Sequence, residues 1–232
     1  MMKSLINTCA VAALAIFSGT AISESVGVQV VGTIKPSACT PVISNDGNID
    51  YGIISTATLS TDSLTQLDNK QLTFSITCDA PTKLGLKAVN GRPGTAAAAR
   101  GDEDGHYGGF TPVGISAENG NVVVGLGKSG DKKIGGYNIM MDRITADGDP
   151  VNNLYRFTSS GSSSWDKMLF LPFYLKEEIL TSWSKPSGNT PLTFTNMSGT
   201  INVRAYINKT SELDISQPIA LDGQTTIELV YL

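Results

Sequence analysis

Apolar and polar residues alternate with a period of two over several short stretches of this chain, whereas the 3.6-residue period of an amphipathic helix does not recur. The pattern begins with residues 26–34, where Val26, Val28 and Val30 share one face of an extended segment. Such alternation is typical of a β-strand with one buried face. The first stretch of the pattern therefore predicts an opening strand.

Nine further runs are predicted as strands because short alternating or apolar stretches lie between turn-rich segments. They are residues 48–54, 71–78, 83–89, 122–126, 136–142, 154–157, 168–175, 199–207 and 225–232. In the last run Ile227, Leu229 and Tyr231 share a face. Residues 176–183 are predicted as a short helix, and the Gly- and Ala-rich region near 90–120 as a mobile loop or insertion.

Composition favours an all-β protein. The chain has 24 glycines, only 16% charged residues and 7% aromatic residues. About 210 residues suffice for one substantial core, so residues 24–232 are predicted to form a single domain. The net charge of −4 gives no basic surface for nucleic acid or anionic lipid.

The first 23 residues have the features of a secretory signal peptide. Lys3 supplies a positive charge, residues 5–17 form a short apolar stretch, and residues 18–23 offer small residues for cleavage after Ala21 or Ser23. The apolar stretch is too short to span a bilayer. We therefore expect export from the cytoplasm, with Cys9 removed together with the signal.

Removal of the signal leaves two cysteines, Cys39 and Cys78, each beside a strand-like run. In an oxidising compartment an even pair favours a disulfide over two free thiols. Closing a loop of about 40 residues would stabilise the fold by about 4 kcal/mol in the chain-entropy model. A zinc site is not expected, since no further cysteine remains and His106 is the single histidine.

Several tempting motifs favour simpler interpretations. Residues 125–130 match Gly-x-Gly-x-x-Gly, but a dinucleotide site needs a helix after the loop, and residues 131–136 are a poor helix start, so a hairpin turn is predicted. Neither the acidic group near His106 (Asp102, Glu103, Asp104) nor the group Asp142, Asp147 and Asp149 has the spacing of a calcium loop. We expect no metal, no cofactor and no enzymatic nucleophile.

Aromatic residues that could form a carbohydrate-binding face are few. They are Tyr155, Trp165, Tyr174 and Trp183. Core packing or scattered exposure accounts for most such residues, so these four do not by themselves predict a binding face.

Six motifs occur in a fixed order along the chain, at residues 30–41, 50–53, 74–83, 124–128, 133–137 and 219–223. In this order they resemble those of bacterial fimbrial major-subunit-like proteins, which are associated with beta-fimbriae. More broadly the chain resembles chaperone–usher pilins, with a Gly-x-Ile opening from Gly32 to Cys39, a second cysteine closing a strand at Cys78, and a penultimate tyrosine, Tyr231. The resemblance covers nearly all of the mature chain except residues 90–120.

This resemblance implies an immunoglobulin-like, pilin-type β-sandwich that lacks its own final strand. A periplasmic chaperone would fill the resulting groove first, and the N-terminal extension of another pilus subunit would fill it after passage through an outer-membrane usher. Val26, Val28 and Val30 are the expected donor side chains, and Ile227, Leu229 and Tyr231 the expected edge that a chaperone strand pairs with. The implied function is a structural subunit of a surface fimbria that contributes to cell adhesion.

Other interpretations stay open at this stage. Only a few residues separate the cleavage site from the first strand, so the chain either uses a short donor segment or is a fimbrial tip adhesin or minor subunit that donates no strand and binds a glycan or protein. The glycine that pilins commonly carry before the last strand is replaced by Ile219, and the nearest glycine is Gly223. A complete sandwich and a secreted β-sandwich enzyme are the remaining alternatives.

Overall fold

The computed structural model describes residues 26–33, 38–97, 123–159, 161, 163–168, 171–172 and 179–232. The predicted signal peptide (1–23) lies outside these ranges, as does most of the predicted loop near 90–120. The contacts of the chain divide it after Lys35, and Pro36–Leu232 is one compact unit. All strands of the described chain belong to this second unit.

The described residues form fifteen strands and three short 3-10 helices, which lie at Ser44–Gly47, Thr56–Thr58 and Thr210–Glu212. The strands are β1 (Cys39–Ile43), β2 (Thr65–Gln66), β3 (Lys70–Thr82), β4 (Leu84–Asn90), β5 (Val124–Gly125), β6 (Lys128–Ser129), β7 (Lys132–Lys133), β8 (Gly135–Ala146), β9 (Asp149–Pro150), β10 (Asn152–Phe157), β11 (Asp166–Met168), β12 (Leu171–Pro172), β13 (Ile179–Ser184), β14 (Phe194–Ile207) and β15 (Thr225–Tyr231).

The larger sheet, sheet A, has the strand order β1-β3-β14-β8-β12, with β2 beside β14 and with β5 and β9 beside β8. Its long strands pair antiparallel, so that Thr200 of β14 lies opposite Thr73 of β3 and opposite Asp142 of β8. Strand β1 lies at an edge, where Pro41, which has no backbone N–H, is tolerated.

The smaller sheet, sheet B, has the strand order β11-β10-β13-β4-β15. The pairing of β15 with β4 is antiparallel over the whole strand, from Thr225 opposite Asn90 to Tyr231 opposite Leu84. Within the described chain no strand pairs with the other side of β15. This strand is therefore an edge.

The core lies between the two sheets and draws side chains from both. Sheet A contributes Phe74 and Ile76, and sheet B contributes Leu84, Leu86 and Trp183. These residues come from alternate positions of their strands, as expected when one face of each sheet is buried. The structure thus confirms the predicted all-β sandwich.

Six predicted strands are confirmed: β3, β4, β8, β10, β14 and β15. The predictions at 122–126 and 168–175 hold only in part. The first is a strand only at Val124–Gly125, and the second divides into β11 and β12, which belong to different sheets, while residues 173–175 lie outside the described ranges.

Three predictions from the sequence were wrong. Residues 26–33 are not in a strand, and the first strand within the described residues begins at Cys39. Residues 48–54 are also outside any strand, because Gly52 adopts a left-handed backbone with φ of 62° and its N–H binds the Asp50 carboxylate at 2.7 Å. The predicted helix at 176–183 is instead the strand β13 over its described part. All six residues of β13 are buried, so the run shows no alternation.

Candidate functional site: an open groove beside the last strand

A groove of about 1060 Å³ runs along the unpaired side of β15. One wall is β1 with the segment that follows it, and the other is β15 with the segment that precedes it. The floor is the inner face of sheet A. Its apolar lining includes Leu72, Phe74, Ile139, Val203, Ala205, Ile207, Leu213, Ile219, Leu221, Ile227 and Leu229.

The free edge of β15 gives the groove its polar component. An edge strand presents a row of backbone N–H and C=O groups that can pair with another strand. Ile227 and Leu229 point from this strand into the groove and are partly buried. An extended chain placed here could pair with the β15 backbone while its alternate side chains enter the apolar floor.

The opposite wall leaves apolar surface in water. Ile53 has a relative exposure of 103%, although it lines the groove. Ile215, on the other rim, is 43% exposed. An apolar surface that is continuous and exposed is characteristic of a binding site.

Tyr51 also lines the groove wall. Its hydroxyl is buried and has no hydrogen-bond partner. Burial, together with the negative charge of Asp68, raises the pKa of Tyr51 to about 12. The phenol is therefore neutral at physiological pH.

A covalent and a hydrogen-bonded link close one end of the groove. The predicted disulfide between Cys39 and Cys78 is present, and it joins β1 to β3. The backbone N–H of Cys39 donates to the Tyr231 hydroxyl at 2.9 Å, which joins β1 to β15. The aromatic ring of the predicted edge residue Tyr231 is thus held at this end, with 53% of the residue exposed.

Side chains from both sheets close the other end. The Tyr137 hydroxyl lies 2.7 Å from the Thr225 hydroxyl, and the Asp222 N–H donates to the Leu126 carbonyl at 3.0 Å. Burial raises the pKa of Tyr137 to about 12. The intervening Gly223 leaves no room for a side chain, because a Cβ there would lie 2.6 Å from the Tyr137 ring.

Arg92 fixes the chain that leads into β15. Its guanidinium donates from Nε and Nη2 to the two carboxylate oxygens of Asp222, at 2.8 and 2.6 Å, and from Nη1 to the Gln224 side chain at 2.6 Å. Hydrogen bonds from Arg92 lower the pKa of Asp222 below its usual value. Arg92 therefore holds the segment that precedes β15 in place through its hydrogen bonds to Asp222 and Gln224.

The three valines predicted as donor side chains are accessible. Val26, Val28 and Val30 have relative exposures of 92%, 87% and 92% within a segment that forms no strand. This segment belongs to the unit before Pro36. Three apolar side chains exposed at alternate positions are available to another molecule.

The Gly-x-Gly-x-x-Gly match is a hairpin, as predicted. Strands β6 and β7 pair across a turn in which Gly130 has a φ of 59°. Its backbone amides precede no helix, so the motif forms no phosphate site of the dinucleotide type.

Two aspartates of the second acidic group, Asp142 and Asp147, have structural partners. Asp147 accepts hydrogen bonds from the N–H groups of Thr195 and Asn196 at 3.0 and 2.8 Å, and Asp142 accepts from the Arg143 N–H at 2.8 Å. No group of three or more potential metal ligands occurs in the described part of the chain. Asp102, Glu103, Asp104 and His106 lie outside it.

The aromatic residues do not form a common face. Trp183 is 1% exposed and packs edge-to-face against Phe194, with ring centroids 6.3 Å apart. Trp165 lies under the Arg156 guanidinium at 4.9 Å, and Tyr155 packs against Phe157. Tyr174 lies outside the described residues.

Sequence reasoning missed much of the groove wall. Ile53, Tyr137 and the segment 213–221 come together only through the sheet topology. Residues 213–221 form no strand, so periodicity gave no signal there.

These features define an antiparallel β-sandwich in which the last strand borders an open apolar groove. Residues 28–138, slightly less than half of the chain, match a family model described as "Protein of unknown function (DUF1120)". Two curated Escherichia coli (strain K12) proteins are similar over most of their length. "Uncharacterized protein YhcF" is 26% identical over 90% of this chain and 92% of its own length. "Protein GltF" is 28% identical over 97% of this chain and 95% of its own length.

Across the described ranges, no helix combines the length and the apolar character needed to cross a bilayer.

Proposed function

We propose that this chain is a structural subunit of a surface fimbria, and that its groove binds a strand donated by another molecule. The observation that carries the proposal is the unpaired edge of β15 beside a groove lined with apolar side chains from both sheets. In a complete sandwich a further strand would occupy this position. An immunoglobulin-like fold lacking that strand is the arrangement that the resemblance to pilins implies.

The groove requires an occupant on energetic grounds. An open strand edge and an exposed apolar floor favour association with other chains. In the periplasm this occupant would be a strand of a chaperone, which pairs with β15 along Ile227, Leu229 and Tyr231. An outer-membrane usher would then exchange it for a subunit strand, consistent with the export expected from residues 1–23.

The donor that we propose for the fibre is the segment around Val26, Val28 and Val30 of a second copy of the chain. Their spacing places all three on one side of an extended strand. Burying three valines contributes on the order of 5–9 kcal/mol, at 1.5–3 kcal/mol each. Pairing with the free edge of β15 adds to this stabilisation.

Two matched substitutions test the donor. Val28→Asp places a charge on the side of the strand that enters the groove, and Gln29→Asp places the same charge on the other side. With the cognate chaperone and usher present, we expect fibres from the Gln29→Asp variant and none from the Val28→Asp variant, because an unpaired charge in an apolar pocket costs more than a valine contributes. Both variants should still co-purify with the chaperone.

A second pair of substitutions tests the groove. Ile53 is fully exposed, so Ile53→Asp leaves the core intact, whereas Thr77→Asp adds the same charge on the outer face of sheet A. We expect Ile53→Asp to reduce chaperone binding and assembly, and Thr77→Asp to have no effect.

Two results would contradict the proposal. If the Val28→Asp variant still forms fibres, the segment around Val28 is not the donor, and the interpretation as a tip subunit is favoured. A parent chain that remains monomeric without a chaperone, with no tendency to self-associate, would overturn the proposal.

A further inference from the structure

A second hollow lies on the outer face of sheet A, on the side away from the core. Its volume is about 430 Å³. Three of its lining residues are not polar: the buried Phe74, the glycine Gly199 and the aliphatic Val42. The others are polar or charged: Ser44, Thr73, Ser75, Arg143, Ser198 and Thr200. The hollow shares Val42 and Phe74 with the groove beside β15, but its other lining residues are its own, and a ligand bound there does not depend on the proposed function.

The hydroxyl groups of the hollow form two facing pairs. Thr73 of β3 lies opposite Thr200 of β14, and Ser75 lies opposite Ser198. The Ser198 hydroxyl is 3.1 Å from that of Thr145, while the hydroxyls of Thr73, Ser75 and Thr200 make no hydrogen bond to any residue that the structure describes. Three hydroxyls fixed on rigid strands are therefore free to bind a ligand.

Hydroxyls alone would not indicate a site, since threonine is common on exposed strands. The feature that sets this face apart is a β-bulge at Arg143. Between the Ser198 and Thr200 positions of β14, β8 contains one extra residue, and Arg143 has a left-handed backbone with φ of 52°. Left-handed non-glycine residues and bulges both concentrate at functional sites, where a bulge redirects a side chain.

The chemistry of the hollow selects an uncharged ligand. Among the described residues that line the hollow, Arg143 is the only charged one, and its Nε lies 3.6 Å from a carboxylate oxygen of Asp142. Asp142 is not part of the lining, but its carboxylate offsets the positive charge of Arg143, whose guanidinium still supplies N–H donors to the hollow. Val42 is 58% exposed at the rim and offers an apolar contact.

We propose that this hollow binds an uncharged saccharide. Sugar hydroxyls both donate and accept hydrogen bonds, and so match the hydroxyls of Thr73, Ser75 and Thr200 together with the Arg143 guanidinium. The apolar C–H groups of a sugar ring match Val42.

Saturation-transfer NMR on the mature chain, in the form recovered from the periplasm, tests the proposal. The probes are the methyl glycosides of glucose, galactose, mannose, fucose and N-acetylglucosamine, with N-acetylneuraminic acid as the charged comparison. Arg143→Gly removes the guanidinium while suiting the left-handed backbone, and Thr200→Val removes a hydroxyl without changing shape. Thr77→Val, one row away on the same face and outside the hollow, is the matched control.

We expect at least one neutral glycoside to bind. Arg143→Gly should raise its dissociation constant about tenfold or more, Thr200→Val about threefold, and Thr77→Val not at all. Binding of none of the neutral glycosides, or of the charged sugar alone, would overturn the proposal. So would equal binding by the parent and the Arg143→Gly variant, or a loss in Thr77→Val as large as in Thr200→Val.

Discussion

The hydroxyl of Tyr231 accepts a hydrogen bond from the backbone N–H of Cys39 at 2.9 Å, across 192 residues of sequence. This bond joins the first strand of sheet A to the last strand of sheet B at one end of the groove. Cys39 is also bonded covalently to Cys78. Both walls of the groove are thus anchored where β1 begins.

Tyr231→Phe removes this link and nothing else from the protein. We expect the free energy of unfolding to fall by about 1 kcal/mol, the usual net value of one hydrogen bond, as measured by chemical denaturation. Tyr51→Phe is the control, because the Tyr51 hydroxyl is buried without a partner and its loss should be neutral or stabilising. Equal loss in the two variants would show that the link does not stabilise the fold.

The disulfide supports a second prediction. Cys39 and Cys78 are 39 residues apart in sequence, so replacing both with alanine should lower the free energy of unfolding by about 4 kcal/mol. Reducing agent should destabilise the parent to the same extent and leave the double variant unchanged. A loss below about 1 kcal/mol would contradict the chain-entropy account.

The Arg92–Asp222 pair predicts a pH dependence. Because Arg92 lowers the pKa of Asp222, its carboxylate stabilises the folded state above the unfolded pKa, and this stability is lost as the pH falls through the folded pKa. The unfolding temperature of the parent should exceed that of Asp222→Asn at neutral pH, and the gap should close below about pH 4. A gap that is constant from neutral to acidic pH would argue against the ion pair.

Gly135 supports a fourth prediction, about the contact between β8 and β14. A Cβ at this position would collide with the carbonyl oxygen of Tyr206, a backbone atom that cannot move freely. Gly135→Ala should therefore destabilise the fold by about 1–3 kcal/mol or more, as measured by thermal unfolding. Gly27→Ala is the control, since no atom lies within 4 Å of a Cβ there. Similar stability in the two variants would contradict the close packing.

The sequence pattern predicted those strands whose two faces differ. In β3, Leu72, Phe74, Ile76 and Cys78 alternate with exposed or partly exposed residues, so periodicity identified the strand and its buried face. The disulfide was predictable from the number of cysteines and the expected compartment.

Periodicity failed where local chemistry or tertiary contacts decide the structure. β13 is buried on both faces and shows no alternation, and the alternating residues near Ile53 form no strand because Gly52 turns the chain. Likewise, the bulge at Arg143 depends on pairing with a distant strand. The groove is still harder to predict, because its walls come from segments distant in sequence that meet only through the topology of the sheets.

The position of the disulfide at the first residue of β1 decides how the sandwich responds to mechanical load. A pulling force applied to the segment that precedes Cys39 enters the sandwich at that residue and passes through the sulfur atoms to Cys78 in β3. The hydrogen bonds of β1 beyond Cys39 then carry no tension, so this edge strand cannot be unzipped one bond at a time. Instead, force reaches β3, which is held between β1 and β14 and yields only if several bonds shear together.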